Sequence, residues 1–171
     1  IAWHDFNGDG WDDLFIATGR SGRMAAFANN QQGGFVNVAE AFLQRPMGRD
    51  QTTVIGLGAQ FLIGSANHED GSTNGGAIRI VDMGRKATGE SLLGPEASTG
   101  PMAVADVDGD GTVELFVGGR AVAARYPEPA TSILYKSEAN RFVPKQRFEK
   151  LGLASGAVFS DIDLDGDPDL I

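Results

Sequence analysis

The sequence predicts an all-β chain assembled from repeated four-stranded antiparallel units, and three observations carry that prediction. Glycine is frequent, 24 of 171 residues, and it falls between short apolar runs, as tight turns joining short strands require. An acid- and glycine-rich motif recurs, each time followed by an aliphatic run. The copies lie about 50 residues apart, enough for four short strands with their turns.

The clearest self-match sets Asp5-Phe-Asn-Gly-Asp-Gly-Trp-Asp-Asp-Leu-Phe-Ile beside Asp106-Val-Asp-Gly-Asp-Gly-Thr-Val-Glu-Leu-Phe-Val. A third copy, Asp161-Ile-Asp-Leu-Asp-Gly-Asp-Pro-Asp-Leu-Ile, reaches the last residue. Between the first two, Gln60-Phe-Leu-Ile-Gly aligns with Asp13-Leu-Phe-Ile-Ala and Glu114-Leu-Phe-Val-Gly, so a repeat persists there without its acidic loop. The anchors 13, 60, 114 and 169 are 47, 54 and 55 residues apart.

Within a repeat, an entry strand (101–105, 157–160, and 53–57 in the altered copy) leads into the acidic loop, and a hydrophobic strand leaves it (14–17, 61–64, 115–117). Two further strands follow, at 24–28 with 35–38 and at 133–136 with 141–143, separated by polar hairpin turns at 29–34 and 137–140. This is the spacing of propeller blades. The predicted fold is a partial β-propeller of four-stranded antiparallel blades with acidic, calcium-type loops between first and second strands. Blade one (1–44) is expected to be incomplete with three strands, blades two (45–98) and three (99–152) whole, and 153–171 the start of a fourth. Three blades and a fragment should form an open arc of a six- to eight-bladed parent, with an exposed apolar face on residues 14–38 and a tendency to self-associate.

The formal charge of −9 is local. Asp5, Asp9, Asp12, Asp13, Asp106, Asp108, Asp110, Glu114, Asp161, Asp163, Asp165, Asp167 and Asp169 are thirteen of the 23 acids, leaving ten against 14 Lys and Arg. No basic stripe with interleaved aromatics suggests nucleic acid, no apolar run is long enough for a membrane-spanning helix, and the absence of cysteine removes disulfides and thiolate metal sites.

The Asp-x-Asp/Asn-x-Asp-Gly-x-x-Asp/Glu loops, each followed by an aliphatic strand, resemble FG-GAP/VCBS repeats, the blades of integrin-type propellers. More narrowly, Gly118-Gly-Arg with Arg125-Tyr-Pro-Glu-Pro, Ser65-Ala-Asn-His-Glu-Asp-Gly, and Leu134-Tyr-Lys-Ser-Glu-Ala-Asn-Arg-Phe-Val are similar to the cartilage-acidic-protein-like group that carries an ASPIC/UnbV domain, although no ASPIC/UnbV segment is present. The resemblance implies a secreted, periplasmic or cell-surface setting and an extracellular protein or carbohydrate ligand.

Calcium takes six to eight oxygens in flexible geometry. Loop positions 1, 3, 5 and 9 offer oxygen groups three times: Asp5, Asn7, Asp9, Asp13; Asp106, Asp108, Asp110, Glu114; and Asp161, Asp163, Asp165, Asp169. Position 7 (Trp11, Thr112, Asp167) would lend its carbonyl, and glycine at position 6 permits the sharp turn. Three Ca2+ sites are therefore expected. An EF-hand would need Glu at position 12, where Ile16 and Val117 stand inside strands. Zinc would call for His or Cys, and magnesium for fewer carboxylates. Solvated acidic turns are the simpler alternative, but they must explain mutually repelling carboxylates in three separate loops.

Catalytic signals are sparse. His4 precedes the first ligand, so strand alternation turns it away and gives it a structural role. His68 with Glu69 lies in a polar loop, no Gly-x-Ser-x-Gly elbow or phosphate-loop Lys occurs, and Gly56-Leu-Gly lacks the third glycine of a dinucleotide loop. The loops on the opposite face (18–23, 65–76, 119–131), with Arg20, Arg23, His68, Glu69, Arg120, Arg125 and Tyr126, are the expected interaction surface. The sequence thus points to a non-catalytic binding or adhesion module, with the propeller domain of a secreted enzyme such as a polysaccharide lyase as the alternative.

Overall fold

The computed structural model describes residues 1–69, 77–89, 92–93, 96–139 and 141–171. The strands are β1 (Ala2–His4), β2 (Asp13–Ile16), β3 (Ala25–Asn29), β4 (Phe35–Asn37), β5 (Gln51–Leu57), β6 (Gln60–Ser65), β7 (Ala77–Asp82), β8 (Ala87–Thr88), β9 (Leu92–Leu93), β10 (Ser98–Ala105), β11 (Glu114–Ala121), β12 (Ser132–Glu138), β13 (Arg141–Phe148), β14 (Phe159–Ser160) and β15 (Asp169–Leu170), with one 3₁₀ turn at Ala41–Gln44. They form antiparallel sheets in the orders β1-β2-β3-β4, β5-β6-β7-β8, β10-β11-β12-β13 and β14-β15, and β9 adds to β7. The architecture is all-β and consistent with a partial propeller.

The first sheet corrects one expectation. It has four strands rather than three, because Ala2–His4 pairs with β2 in the register Ala2↔Phe15, Trp3↔Leu14 and His4↔Asp13. Three residues gave too short a run for alternation to register in the sequence. The strands entering sheets two and three also begin earlier than expected, at Gln51 and Ser98, with irregular registers near their starts. Of the 137–140 turn, Asn140 lies outside the described residues, as does most of the 65–76 loop.

The first three sheets stack in order through alternating side chains. Phe15, Met24 and Ala26 of the first repeat meet Phe61, Ile63, Val81 and Met83 of the second, with the Phe15 and Phe61 rings stacked at 4.2 Å. From the other face of sheet two, Leu62 and Ile78 meet Met102, Leu115, Val117, Ile133 and Tyr135 of the third. Sheet two is buried on both faces, which is why Phe61-Leu62-Ile63 reads as an unbroken apolar run. Sheet one is covered on one face only. On its other face Trp3 and Phe35 are exposed and pack on each other at 5.5 Å, beside half-buried Leu14, Ile16 and Phe27.

Entry strands lie side by side in sequence order, β1 next to β5, β5 next to β10, β10 next to β14. Glycine permits that approach. A Cβ on Gly56 would sit 2.2 Å from His4 Cγ, and one on Gly64 would sit 2.5 Å from Thr99 Cγ2. The Nε2–H of His4 donates to the Gly58 carbonyl at 2.7 Å, so this histidine ties sheet one to sheet two.

Candidate metal centres

The three acidic loops share a skeleton of side-chain to backbone hydrogen bonds. The position 1 carboxylate draws in the amides of positions 5 and 6. Asp5 accepts from Asp9 N (3.2 Å) and Gly10 N (2.7 Å), Asp106 from Asp110 N (3.2 Å) and Gly111 N (2.8 Å), and Asp161 from Asp165 N (3.1 Å) and Gly166 N (3.0 Å). The position 9 acid opens the outgoing strand and closes the loop by accepting from the amide of position 2. The pairs are Asp13 with Phe6 N (3.2 Å), Glu114 with Val107 N (3.0 Å), and Asp169 with Ile162 N (3.1 Å). The position 5 carboxylate turns one oxygen to the amide two residues on: Asp9 to Trp11, Asp110 to Thr112, Asp165 to Asp167. The Thr112 hydroxyl also donates to Asp110 Oδ1, at 2.6 Å. These bonds are an Asx-type scaffold that forces carboxylates together.

Positions 1, 3 and 9 are what the fold gathers. In loop two, Asp106, Asp108 and Glu114 bring one oxygen each within 4.8 Å of one another, and in loop three Asp161, Asp163 and Asp169 do the same. Position 5 is outside both groups, and the acids of loop one are not gathered in this way. Loop one has Asn7 at position 3, whose Oδ1 accepts from Asp9 N at 2.9 Å.

The loops differ in how their acids are satisfied. The Gly10 amide leads the donors that hold the Asp5 carboxyl below its usual range. Burial pushes Asp13 up, against the amides of Asn29 and Phe6, which donate to its two oxygens. Glu114 is fully buried, and its Oε1 has no hydrogen-bond partner. The nearest ammonium groups, Lys136 Nζ at 3.5 Å and Lys145 Nζ at 4.0 Å, form ion pairs with it but stand too far off to hydrogen-bond well. A buried carboxylate gathered with two others, one of its oxygens without a hydrogen bond, is suited to a cation, and the all-oxygen donor set fits a hard one.

Lys136 and Lys145 are site residues that sequence reasoning missed. Lys136 Nζ bonds Asp108 Oδ2 at 2.7 Å and Asp110 Oδ2 at 2.5 Å, and Lys145 Nζ reaches Asp108 Oδ2 at 3.4 Å. Hydrogen bonds from Lys136 hold Asp108 and Asp110 below the ordinary carboxylate range, and the two acids raise the lysine in return. The missed signal was register, since Glu114 pairs directly with Lys136 across β11 and β12.

Sheet two shows what replaced its loop. Only Gly58 and Ala59 join β5 to β6, and Gly58 takes φ +53. The anchor Gln60 pairs with Asp82 where Glu114 pairs with Lys136, and its amide donates to Asp82 Oδ2 at 2.9 Å. Burial pushes the Asp82 carboxyl up, yet the amide of Arg85, Gln60 and the other donors outweigh it and leave the group below its usual range.

Residues 5–56 match the family model described as FG-GAP-like repeat. This stretch resembles an FG-GAP-like repeat. It begins at the first position of the acidic loop and ends in β5, so the unit starts in the loop, uses β2 to β4, and borrows the entry strand of the next sheet. No curated protein matches the chain.

Opposite the acidic loops, the FG-GAP-like segment contributes Arg20, which pairs with Glu69 at 3.5 Å and so links the loops of sheets one and two. Arg125 pairs with Glu128 at 3.2 Å beside the cis Tyr126–Pro127 bond, and Tyr126 is 80% exposed. Arg120, with Thr53, Gly100 and Ser155, lines a cleft between entry strands. Among the described residues no helix is long and apolar enough to cross a membrane.

Proposed function

We propose that this chain is part of a calcium-stiffened propeller that acts as a non-catalytic binding module outside the cytoplasm. The observation that carries the reading is the gathering of Asp106, Asp108 and Glu114, one oxygen of each within 4.8 Å of the others, around a fully buried Glu114 whose Oε1 accepts no hydrogen bond. Calcium would be held by Asp106, Asp108, Asp110 and Glu114, with the Thr112 carbonyl, and by the matching sets Asp5, Asn7, Asp9, Trp11, Asp13 and Asp161, Asp163, Asp165, Asp167, Asp169. Bound there, the ion would offset the repulsion among the acids and fasten each loop to the strand it feeds. Likeness to FG-GAP-like repeats supports a binding role and an extracellular setting. The rim of Arg20, Arg23, His68, Glu69, Arg120, Arg125 and Tyr126 is the proposed contact surface for a protein or carbohydrate ligand. Kinship with the cartilage-acidic-protein-like group rests on the quoted sequence stretches alone.

Calorimetric titration with calcium, followed by melting with and without chelator, tests this. Three ions are expected, none at residues 57–60. A ligand bound only by the folded form adds about 2.7 kcal/mol per site at a hundredfold excess over its dissociation constant. Absence of binding at millimolar calcium, or a melting curve that chelation does not move, removes the proposal.

A further inference from the structure

The three loops are not equivalent, and the difference lies outside the repeat motif. Loop two carries an ammonium in its mouth. Lys136 Nζ touches oxygens of Asp108 and Asp110 and stands 3.5 Å from the orphaned Glu114 Oε1, three of the four carboxylates a cation there would use. Only 20% of its side chain is exposed, because β12 sets it directly across from Glu114. In loop one, the residue at the same register is Ala28, and the donor that reaches in is the neutral Gln31 amide, 3.3 Å from Asp9 Oδ2. Among the described residues, no Lys or Arg pairs with an acid of loop one.

We infer that Lys136 is a tethered counter-cation that competes with the metal for loop two, making this a weaker cation site than loop one. The inference rests on the reading of the loops as calcium sites and adds the residue that sets loop two apart from loop one. The chemistry is simple competition for the same lone pairs. An ammonium donates hydrogen bonds to Asp108 and Asp110 that must break before those oxygens can ligate, and the displaced positive charge, still on its strand, repels the incoming ion. Lys145, farther out, adds a smaller repulsion of the same sign.

Site-resolved titration of the full chain with calcium chloride tests this, followed by the NMR amide signals of Gly10, Gly111 and Gly166, one at position 6 of each loop. In the wild type the Gly111 midpoint should lie at least tenfold above the Gly10 midpoint. Lys136→Met, which keeps the stem and drops the charge, should lower the Gly111 midpoint at least tenfold and leave Gly10 and Gly166 in place. Lys136→Arg, which keeps the charge, should leave Gly111 high. Lys136→Gln serves if the methionine variant does not fold. Equal midpoints in the wild type, or a Gly111 midpoint indifferent to loss of the charge, overturn the role of Lys136 while leaving the calcium reading standing. Failure of all three signals to respond in both wild type and variant instead overturns the calcium reading.

Discussion

Sheets two and three solve the same problem in opposite ways. In both, the first residue of the second strand stands across from the last residues of the third, near the mouth of the entry hairpin. Sheet three places Glu114 there opposite Lys136, with an eight-residue acidic connection between its first two strands. Sheet two places Gln60 opposite Asp82, over a two-residue turn. The acid has moved one strand over, and its donors are now the protein's own Gln60 amide and the Arg85 amide. The comparison teaches that the blade does not need the loop to fold. It needs the buried carboxylate at the hairpin mouth to be compensated, by neighbouring hydrogen-bond donors in sheet two and by the Lys136 and Lys145 ammonium groups in sheet three.

Exchanging the anchors should give the largest effect. Gln60→Glu sets two carboxylates against each other and removes a donor from the largely buried Asp82, at a cost of about 3 kcal/mol near neutral pH. Denaturant unfolding of the single variant and of Gln60→Glu with Asp82→Lys measures it, and the pair, which copies Glu114 and Lys136, should recover at least half of the loss. A single variant as stable as the wild type would break the comparison.

A pH titration sharpens it further. Asp82 is held below its usual 3.8 in the fold, so it contributes stability that is complete above the unfolded value and is lost as pH falls through the folded one. Asp82→Asn keeps an acceptor for the Arg85 amide, turns an NH2 toward Gln60, whose side-chain oxygen can rotate to accept it, and cannot titrate. Its stability should fall less between pH 5 and pH 2 than that of the wild type. Parallel curves would place the acid sensitivity elsewhere.

The smallest effect concerns loop three. Its position 4 is Leu164, 86% exposed at φ +65, where loops one and two have Gly8 at φ +78 and Gly109 at φ +68. A leucine there bears strain that glycine does not, partly offset by glycine's greater freedom in the unfolded chain. Leu164→Gly should raise stability by about 0.5 kcal/mol in thermal melts, and Gly109→Leu should lower it by more. Destabilisation by Leu164→Gly would mean that the leucine makes contacts worth more than its strain.

Much was legible in the sequence because it is written locally. The acid-glycine spacing fixes which amides each carboxylate reaches, and the aliphatic run after each loop supplies an outgoing strand, so the loops and most of the thirteen strands of the first three sheets follow from residues a few positions apart. What the sequence could not disclose depends on residues distant along the chain. The entry strand Ala2–His4 is too short to show a period and exists because β2 and sheet two give it partners. His4 reaches Gly58 across 54 residues, and Gln60 finds Asp82 across 22. Lys136 looks like any strand lysine until β12 is laid beside β11 in one particular register, and only then does its charge fall among Asp108, Asp110 and Glu114. Local spacing determines where the acids gather; tertiary register decides what neutralises them, because charge compensation acts through space over a few ångströms and does not follow the order of the chain.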